Sequence, residues 1–349
     1  MVLKMKKVLV ALSGGVDSST TAYLLKQQGF DVSALTLKLY DSHSRASVSL
    51  QAIEDAKKVC DFLNIKHYVL DLQKEFKDTI INNFISSYLS ATTPNPCILC
   101  NEKIKFGLLL DYAKKNGFDY LATGHYAKIE EKDGEFKLKI GKDKSKDQTY
   151  FLYRLTQNEL KNLLFPLADY TKEEIRNIAT SAGLPVANKP DSQEICFIEK
   201  TYHEFLQKNI KDFNKKVLPG LIVDVNGKKL GKHKGLIFYT IGQRSGLGIT
   251  TSEPVYVLKM DKTTNTLIVG TKKDVFSRVA KIKDITFVSD KFDGKDFNAD
   301  VKIRRMHQPA KALVSKDIIL FEEEQASVTP GQSAVFYNGS YVIGGGIIV

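Results

Sequence analysis

Residues 7–19, KVLVALSGGVDSS, do most to limit what this chain folds into. The apolar run 7–12 reads as a buried strand, and 18–28, closed by Gly29, reads as a helix. A strand, a loop with two glycines and a helix start form an anion-binding arrangement. Gly14 and Gly15 let the backbone turn sharply and approach a ligand closely. The free N–H groups and positive dipole end of the helix then favour negative charge. Ser13, Ser18 and Ser19 add hydroxyls, while Asp17 sits badly against phosphate and reads as a magnesium ligand or a loop brace. The loop lacks the Gly-Lys-Ser/Thr ending of the Walker pattern.

The same alternation continues downstream. Strands are expected at 7–12, 32–39, 67–72 and 120–123, with helices at 18–28, 50–63, 76–88 and 103–115. This pattern predicts an α/β domain built on a doubly wound parallel sheet, with ligands beyond the carboxyl ends of its strands. Residues 127–140 read as a hairpin around Asp133-Gly134. Thr171 and Glu174 form a capping box for a helix that Gly183 and Pro185 end.

After about residue 200 the texture becomes all-β. Short strands are expected at 221–225, 236–241, 255–259, 266–269, 280–287, 300–304, 311–314, 333–337 and 341–348. They divide near Val275 into two small β-rich domains, the second a β-barrel. The expected domains are 1–203, 204–275 and 276–349.

Composition adds limits. A net charge of +11 suits an anionic partner such as nucleic acid. No apolar run reaches the ~20 residues that span a bilayer. Lys4, Lys6 and Lys7 precede an apolar run too short for a signal peptide, so a cytoplasmic protein is expected.

The four cysteines are Cys60, Cys97, Cys100 and Cys196. Cys60 lies on an apolar helical face with Ala56, Val59 and Leu63 and belongs to the core. Cys97 and Cys100 lie in TPNPCILCN, where Pro94 and Pro96 keep the backbone out of a helix until residues 101–106 start one. A thiol at a helix N-terminus, with Lys103 and Lys105 nearby, is expected to have a depressed pKa and to be reactive. Two alternatives stay open: a pair of buried thiols, or zinc held by three cysteines and His125. Thr123-Gly124-His125-Tyr126-Ala127 follows a strand at the ligand-facing edge, with His125 as readily structural as catalytic. Lys146-Asp147-Gln148-Thr149-Tyr150-Phe151-Leu152 combines a cation, an amide and aromatics suited to phosphate and bases. Tyr239–Arg244 with Lys232, His233 and Lys234, and the pair Arg304-Arg305 before His307, are RNA-contact candidates or solvated surface.

SGGVDSS resembles the SGGxDS loop of pyrophosphatase-type ATP enzymes. It is followed in order by TPNPCILCN, TGHYA, KDQTYFL, DSQEICFI, YTIGQRSGLG, TPGQSAVFY and GGGII. Together these strings resemble the bacterial tRNA-specific 2-thiouridylases over nearly the whole chain. The resemblance implies ATP- and Mg2+-dependent sulfur insertion at carbon 2 of the wobble uridine of tRNAs for Lys, Glu and Gln. The steps implied are adenylation of the C2 oxygen, then attack by a cysteine-borne sulfur. A sulfur-donor protein or cysteine desulfurase relay would supply the sulfur. By position, Cys196 carries the persulfide and Cys100 is the nucleophile that releases sulfide or closes a disulfide. The implied ATP contacts are Ala11, Leu12, Ser13, Gly14, Gly15, Val16, Asp17, Ser18, Leu37 and Gly124. The implied tRNA contacts are Asn95, Pro96, Cys97, Lys146, Asp147, Gln148, Arg304 and Arg305, with 94–96 as a wall against the extruded base.

Two positions depart from the family pattern. Cys97 stands where many members have Asp, and Leu37 where many have Met. The first raises an alternative route, in which Cys97, Cys100 and Cys196 hold three irons of a [4Fe–4S] cluster. Outside the family, the rival readings are another ATP-to-AMP ligase and a non-enzymatic RNA-binding protein.

Overall fold

The computed structural model describes residues 5–40, 48–191 and 195–349. The first unit is a parallel sheet in the order β3-β2-β1-β4-β7. Its strands are β1 (Lys7–Ala11), β2 (Asp31–Lys38), β3 (Lys66–Asp71), β4 (Tyr120–Ala122) and β7 (Leu163–Leu164). Central β1 is apolar without alternation because both of its faces are covered. Val8 and Val10 pack under the helices Val16–Gln27, Val48–Leu63 and Lys172–Ser181, while Leu9 packs on the opposite face. Cys60 is buried on the first of these faces, as expected. The chain turns outward from β1 in both directions, so the switch point lies between β1 and β4. The loops after those two strands therefore share one crevice.

The helix expected at 103–115 starts earlier. It runs through Pro96–Cys100, a π-helical stretch Asn101–Leu109, and Leu110–Lys115. Pro96 occupies the first turn, where its missing N–H costs nothing and its fixed φ fits the helix. Cys97 and Cys100 thus sit on the helix rather than ahead of it.

The central unit is a four-stranded sheet in the order β10-β11-β8-β9. Its strands are β8 (Gly220–Val223), β9 (Lys229–His233), β10 (Tyr256–Asp261) and β11 (Thr266–Gly270). The strand expected at 236–241 is instead a 3-10 turn, Leu236–Phe238. Gly235 at φ +136° redirects the chain there, and its N–H is taken by His233 Nδ1.

The last unit is a closed antiparallel barrel of β12 (Phe276–Phe287), β13 (Phe297–Lys302), β14 (Ala310–Ser315), β15 (Ile318–Ala326), β16 (Ser333–Asn338) and β17 (Tyr341–Ile348). Pairing of β12 with both β15 and β17 closes it. The hairpin β5 (Lys128–Lys132) and β6 (Glu135–Lys139) belongs to the first unit by sequence, yet β6 pairs with β17, Tyr341 opposite Lys139. Among the described residues, no helix is long and apolar enough to cross a membrane.

Candidate active site

The glycine loop enters helix Val16–Gln27 with Gly15 as its N-cap. Gly14 holds φ +70°, and a Cβ there would stand 2.5 Å from the Ala52 carbonyl oxygen, so only glycine fits. Ser18 folds the loop back on itself: its Oγ accepts from the Ser13 N–H at 3.1 Å and donates to the Gly15 carbonyl at 3.2 Å. Ser19 Oγ donates to the same carbonyl at 2.8 Å. From the neighbouring loop after β4, Gly124 closes on the helix start, where a Cβ would meet the Asp17 carbonyl carbon and Ser18 nitrogen at 3.0 Å. Gly124 thus seals the loop's packing. Leu37 is half-buried beside the crevice, packed against the core clusters on both of its sides.

The sequence reading named Lys146 but missed the other cations gathered with it. Lys172 Nζ lies 2.6 Å from Asp17 Oδ1 and 2.8 Å from Asp191 Oδ1. Arg176 pairs with the same Asp191 oxygen at 2.6 Å, and Lys146 reaches its Oδ2 at 3.4 Å. Lys189 donates to the Gly14 carbonyl at 3.0 Å and to Asp55 at 2.7 Å. Burial works against the charge on Asp191, but Lys172, Arg176 and Lys146 outweigh it and hold the carboxyl below the usual carboxylate range. Asp17 also accepts from the Tyr126 hydroxyl at 2.9 Å, so loop bracing is its observed role. Only the spacing of Lys189 and Asp191 within NKPDSQ hinted at this network; Lys172 and Arg176 are visible only in three dimensions.

All four cysteines are free thiols, with Cys97 and Cys196 exposed and Cys100 buried. The expected depressed thiol pKa is overturned. Burial pushes the Cys100 thiol up, and the protein packed around the Cys97 sulfur, on a side chain that still reaches solvent, pushes it the same way, with Lys105 the opposing charge common to both. Cys196 is pushed up to about 12, first by the protein crowding its sulfur and then by Cys100 and Cys97, whose charge it feels. The helix terminus is too weak to offset that desolvation. Phe197, next to Cys196, makes edge contacts with Phe76 and Phe84 at centroid separations of 5.8 and 5.3 Å, and packs on Phe205 at 5.0 Å. Cys100 belongs to the same buried cluster.

His125 is a core residue. Its Nδ1 lies 2.7 Å from Thr123 Oγ1, its ring sits between Phe106 and Phe165, and burial keeps it neutral. Among the described residues, no group of three or more His, Cys, Asp or Glu side chains is spaced to hold a metal. Cys97, Cys100 and Cys196 lie near enough for Cys196 to feel the charge of the other two. Magnesium that arrives on ATP needs only one or two carboxylates beside the phosphates, and Asp17 offers one.

The remaining candidates divide. Asp147 caps its own turn through the Thr149 N–H at 3.0 Å, and the Gln148 Oε1 accepts from the Tyr126 N–H at 2.8 Å, so both side chains brace the segment. Lys146 is drawn to Asp191, beside the glycine loop. Asn95 is the N-cap position of the thiol helix, and Pro96 its first residue. Arg305 stacks over Phe151, 5.7 Å from the ring centroid, and its charge reaches Cys97. Arg304 donates to the Ala326 carbonyl at 3.0 Å and stays on the exposed barrel rim. Ser192, Gln193 and Glu194 of DSQEICFI lie outside the described residues. A cavity of about 430 Å3 opens between the thiol helix and the barrel, lined by Pro94, Asn95, Ile98, Leu99, Gly331 and Ile348 among others.

A glycine-rich anion loop at the switch point of a parallel sheet, followed by two β units, defines an α/β protein of the HUP class. The profile described as "tRNA methyl transferase HUP domain" matches residues 6–200. A "PRC-barrel domain" of the same group matches 203–271, and an "aminomethyltransferase beta-barrel domain" matches 277–348. Full-length relatives are more specific. The tRNA-specific 2-thiouridylase MnmA of Clostridium perfringens is 47% identical, with 98% of each chain covered. That of Clostridioides difficile is 45% identical at the same coverage. The chain belongs to the tRNA-specific 2-thiouridylase family. Among solved structures, it is similar to the U34-tRNA thiolase NcsA of Methanococcus maripaludis at 20% identity, covering 61% of this chain and 68% of that one, with a TM-score of 0.37.

Proposed function

We propose that this protein is a cytoplasmic tRNA sulfurtransferase that uses ATP to place sulfur on carbon 2 of the wobble uridine in tRNAs for Lys, Glu and Gln. One observation carries this reading: a single short strap serves both halves of the reaction. Asp191 is tied through Lys172 to Asp17 of the glycine loop, and Cys196 feels the charge of Cys100 and Cys97. Five residues of chain span at most about 18 Å, and that bound on the distance between Asp191 and Cys196 supports a shared crevice for nucleotide loop and thiol.

The chemistry follows from that proximity. Carbonyl oxygen is a poor leaving group. Transfer of AMP from ATP to the uracil C2 oxygen makes it a good one, and the pyrophosphate departs into the loop formed by residues 11–18, with Lys172 and Lys189 neutralising its charge. The terminal sulfur of a Cys196 persulfide then attacks C2, and AMP leaves. Cys100 attacks the Cys196 sulfur and takes up the S–S bond as the carbon–sulfur bond completes, leaving a Cys100–Cys196 disulfide that a thiol reductant resets. Burial holds both cysteines as thiols, and the positive charge of Lys105 opposes it by favouring their thiolates. Asn95, Pro96 and Cys97 face the extruded base, while Lys146, Arg304 and Arg305 supply phosphate-binding charge. Residues 1–203 would carry the chemistry, with 204–275 and 276–349 holding the tRNA. A sulfur-donor protein loads Cys196.

The test is mass spectrometry of tRNA for 2-thiouridine after incubation with ATP, Mg2+ and a persulfide donor. Wild type should thiolate; Cys100→Ser and Cys196→Ser should not, while both retain ATP binding. Thiolation surviving in both variants would reject these roles, and iron-dependent activity in an anaerobic preparation would replace the persulfide with a cluster.

A further inference from the structure

The motif TPGQSAVFY begins in the loop that leads into β16, far in sequence from the thiols. The structure brings it against the segment that precedes them. Thr93 donates its N–H to the Pro330 carbonyl at 2.9 Å. Gln332 donates its Nε2 to the Thr93 carbonyl at 2.8 Å and lies 3.4 Å from the Pro94 carbonyl. Pro94 has no N–H to offer, so among the described residues the main-chain hydrogen bonds of Thr93 and Pro94 run to the barrel. The Thr93 hydroxyl is buried without a partner and adds no further anchor.

The fit allows no slack. Gly331 holds φ +91°, and a Cβ on it would stand 2.8–3.0 Å from the Thr93 main chain. The loop is itself held rigid by the last barrel strand: Gly331 donates to the Ile348 carbonyl at 2.9 Å, and Ile348 donates to that of Gln332 at 2.8 Å. One residue on, Ser333 receives the Tyr150 hydroxyl on its carbonyl at 2.8 Å and lies 3.2 Å from the Tyr153 hydroxyl through its Oγ. Gly345 of GGGII leaves room for the Tyr153 ring, which a Cβ would meet at 2.8 Å.

We propose that the 329–332 loop positions the thiol helix, and that Gln332 is the positioning residue: its amide fixes the Thr93 and Pro94 carbonyls, and through them the helix start that carries Cys97 and Cys100. The barrel then contributes to sulfur transfer without supplying a reacting atom. This rests on the thiolation reading above. It explains why a rigid, glycine-dependent loop is spent on a backbone segment that makes no regular structure of its own. Placing a nucleophile badly by about 1 Å can cost about 100-fold in rate.

The experiment compares wild type with Gln332→Met, which keeps the side-chain length and removes the donor, and Gln332→Glu, which sets a carboxylate against two carbonyls. Four quantities are read: single-turnover thiolation at saturating ATP and tRNA, Kd for each ligand, and hydrogen exchange of the peptide spanning 91–97. Expected are unchanged Kd values, faster exchange at 91–97, and a thiolation rate about 10- to 100-fold lower, with Glu worse than Met. Gly331→Ala should act in the same direction as an independent probe of the contact. Weakened tRNA binding with unaltered exchange would overturn the proposal, since Gln332 would then serve the RNA directly. Unaltered exchange and rate would overturn it as well. A wild type that never thiolates tRNA would sink the functional reading instead, whereas the exchange result would still report on the loop contact.

Discussion

Lys172 reaches from the first turn of its helix to place its ammonium 2.6 Å from Asp17 Oδ1, across 155 residues of sequence. The contact joins the glycine loop to the helix that Thr171 caps, and Asp191 holds the other side of the same nitrogen. Removing that cation leaves two partly buried carboxylates facing each other.

Lys172→Met should therefore weaken both the loop and its ligand. The expected stability loss is about 1–3 kcal/mol, the usual cost of stranding a partly buried charged group. ATP affinity should fall at least tenfold, because the pyrophosphate loses a near neighbour of opposite charge. Thermal melts with and without MgATP check both; a variant with unchanged nucleotide affinity would remove Lys172 from the phosphate site.

Asp191 sets an acid limit on the fold. Its folded pKa lies below the unfolded value because Lys172, Arg176 and Lys146 outweigh its burial. A depressed carboxylate contributes its stability fully above the unfolded pKa and loses it as pH falls through the folded one. The wild-type melting temperature should drop from about pH 4 downward, and Asp191→Asn should flatten that part of the profile. Parallel profiles would show that the pairs contribute nothing net.

Alkylation should expose the guarded thiols. With its pKa pushed up to about 12, Cys196 is almost wholly protonated at neutral pH. Its modification by iodoacetamide, followed by mass spectrometry, should be slow at pH 7 and rise about tenfold per pH unit up to pH 9. Lys105→Met should slow Cys97 and Cys100 further, since that cation opposes their burial. Rapid, pH-independent labelling of Cys196 would contradict the crowded setting.

Gly14→Ala should abolish nucleotide binding. The substitution meets both a positive φ and the Ala52 carbonyl at 2.5 Å, so the loop must move. Backbone strain of this kind costs about 1–3 kcal/mol, and isothermal titration with MgATP should show no saturable heat. Gly29→Ala, where φ is also positive but nothing lies within 4 Å, should cost stability alone.

What the sequence made legible follows from locality. The β1–loop–helix unit satisfied three short-range rules at once, and the capping box at Thr171 and Glu174 forms as read. Strand β15 was absent from the expected strands: three consecutive glutamates, Glu322, Glu323 and Glu324, break the pattern in which Ile319 and Phe321 alternate inward. Strand β9, KLGKH, has too few apolar residues to show a period. The thiols were misjudged for a different reason. Lys103, Lys105 and a helix start are visible locally, but the aromatic cluster that buries Cys100 is assembled from Phe76, Phe84, Phe197 and Phe205. Gln332 shows the same limit: its partner Thr93 is 239 positions away.

The stitching of hairpin β5–β6 onto the last barrel strand has a cost during synthesis. Tyr341 donates its hydroxyl to Glu130 at 2.8 Å, across 211 residues. At ribosomal speed the hairpin waits roughly 10–40 s for that neighbour to emerge. Through that interval β6 presents an unpaired edge, a template for mispairing with other nascent chains. Early chaperone capture, or release of a chain cut short before Tyr341, should therefore decide yield more than the stability of the finished molecule does.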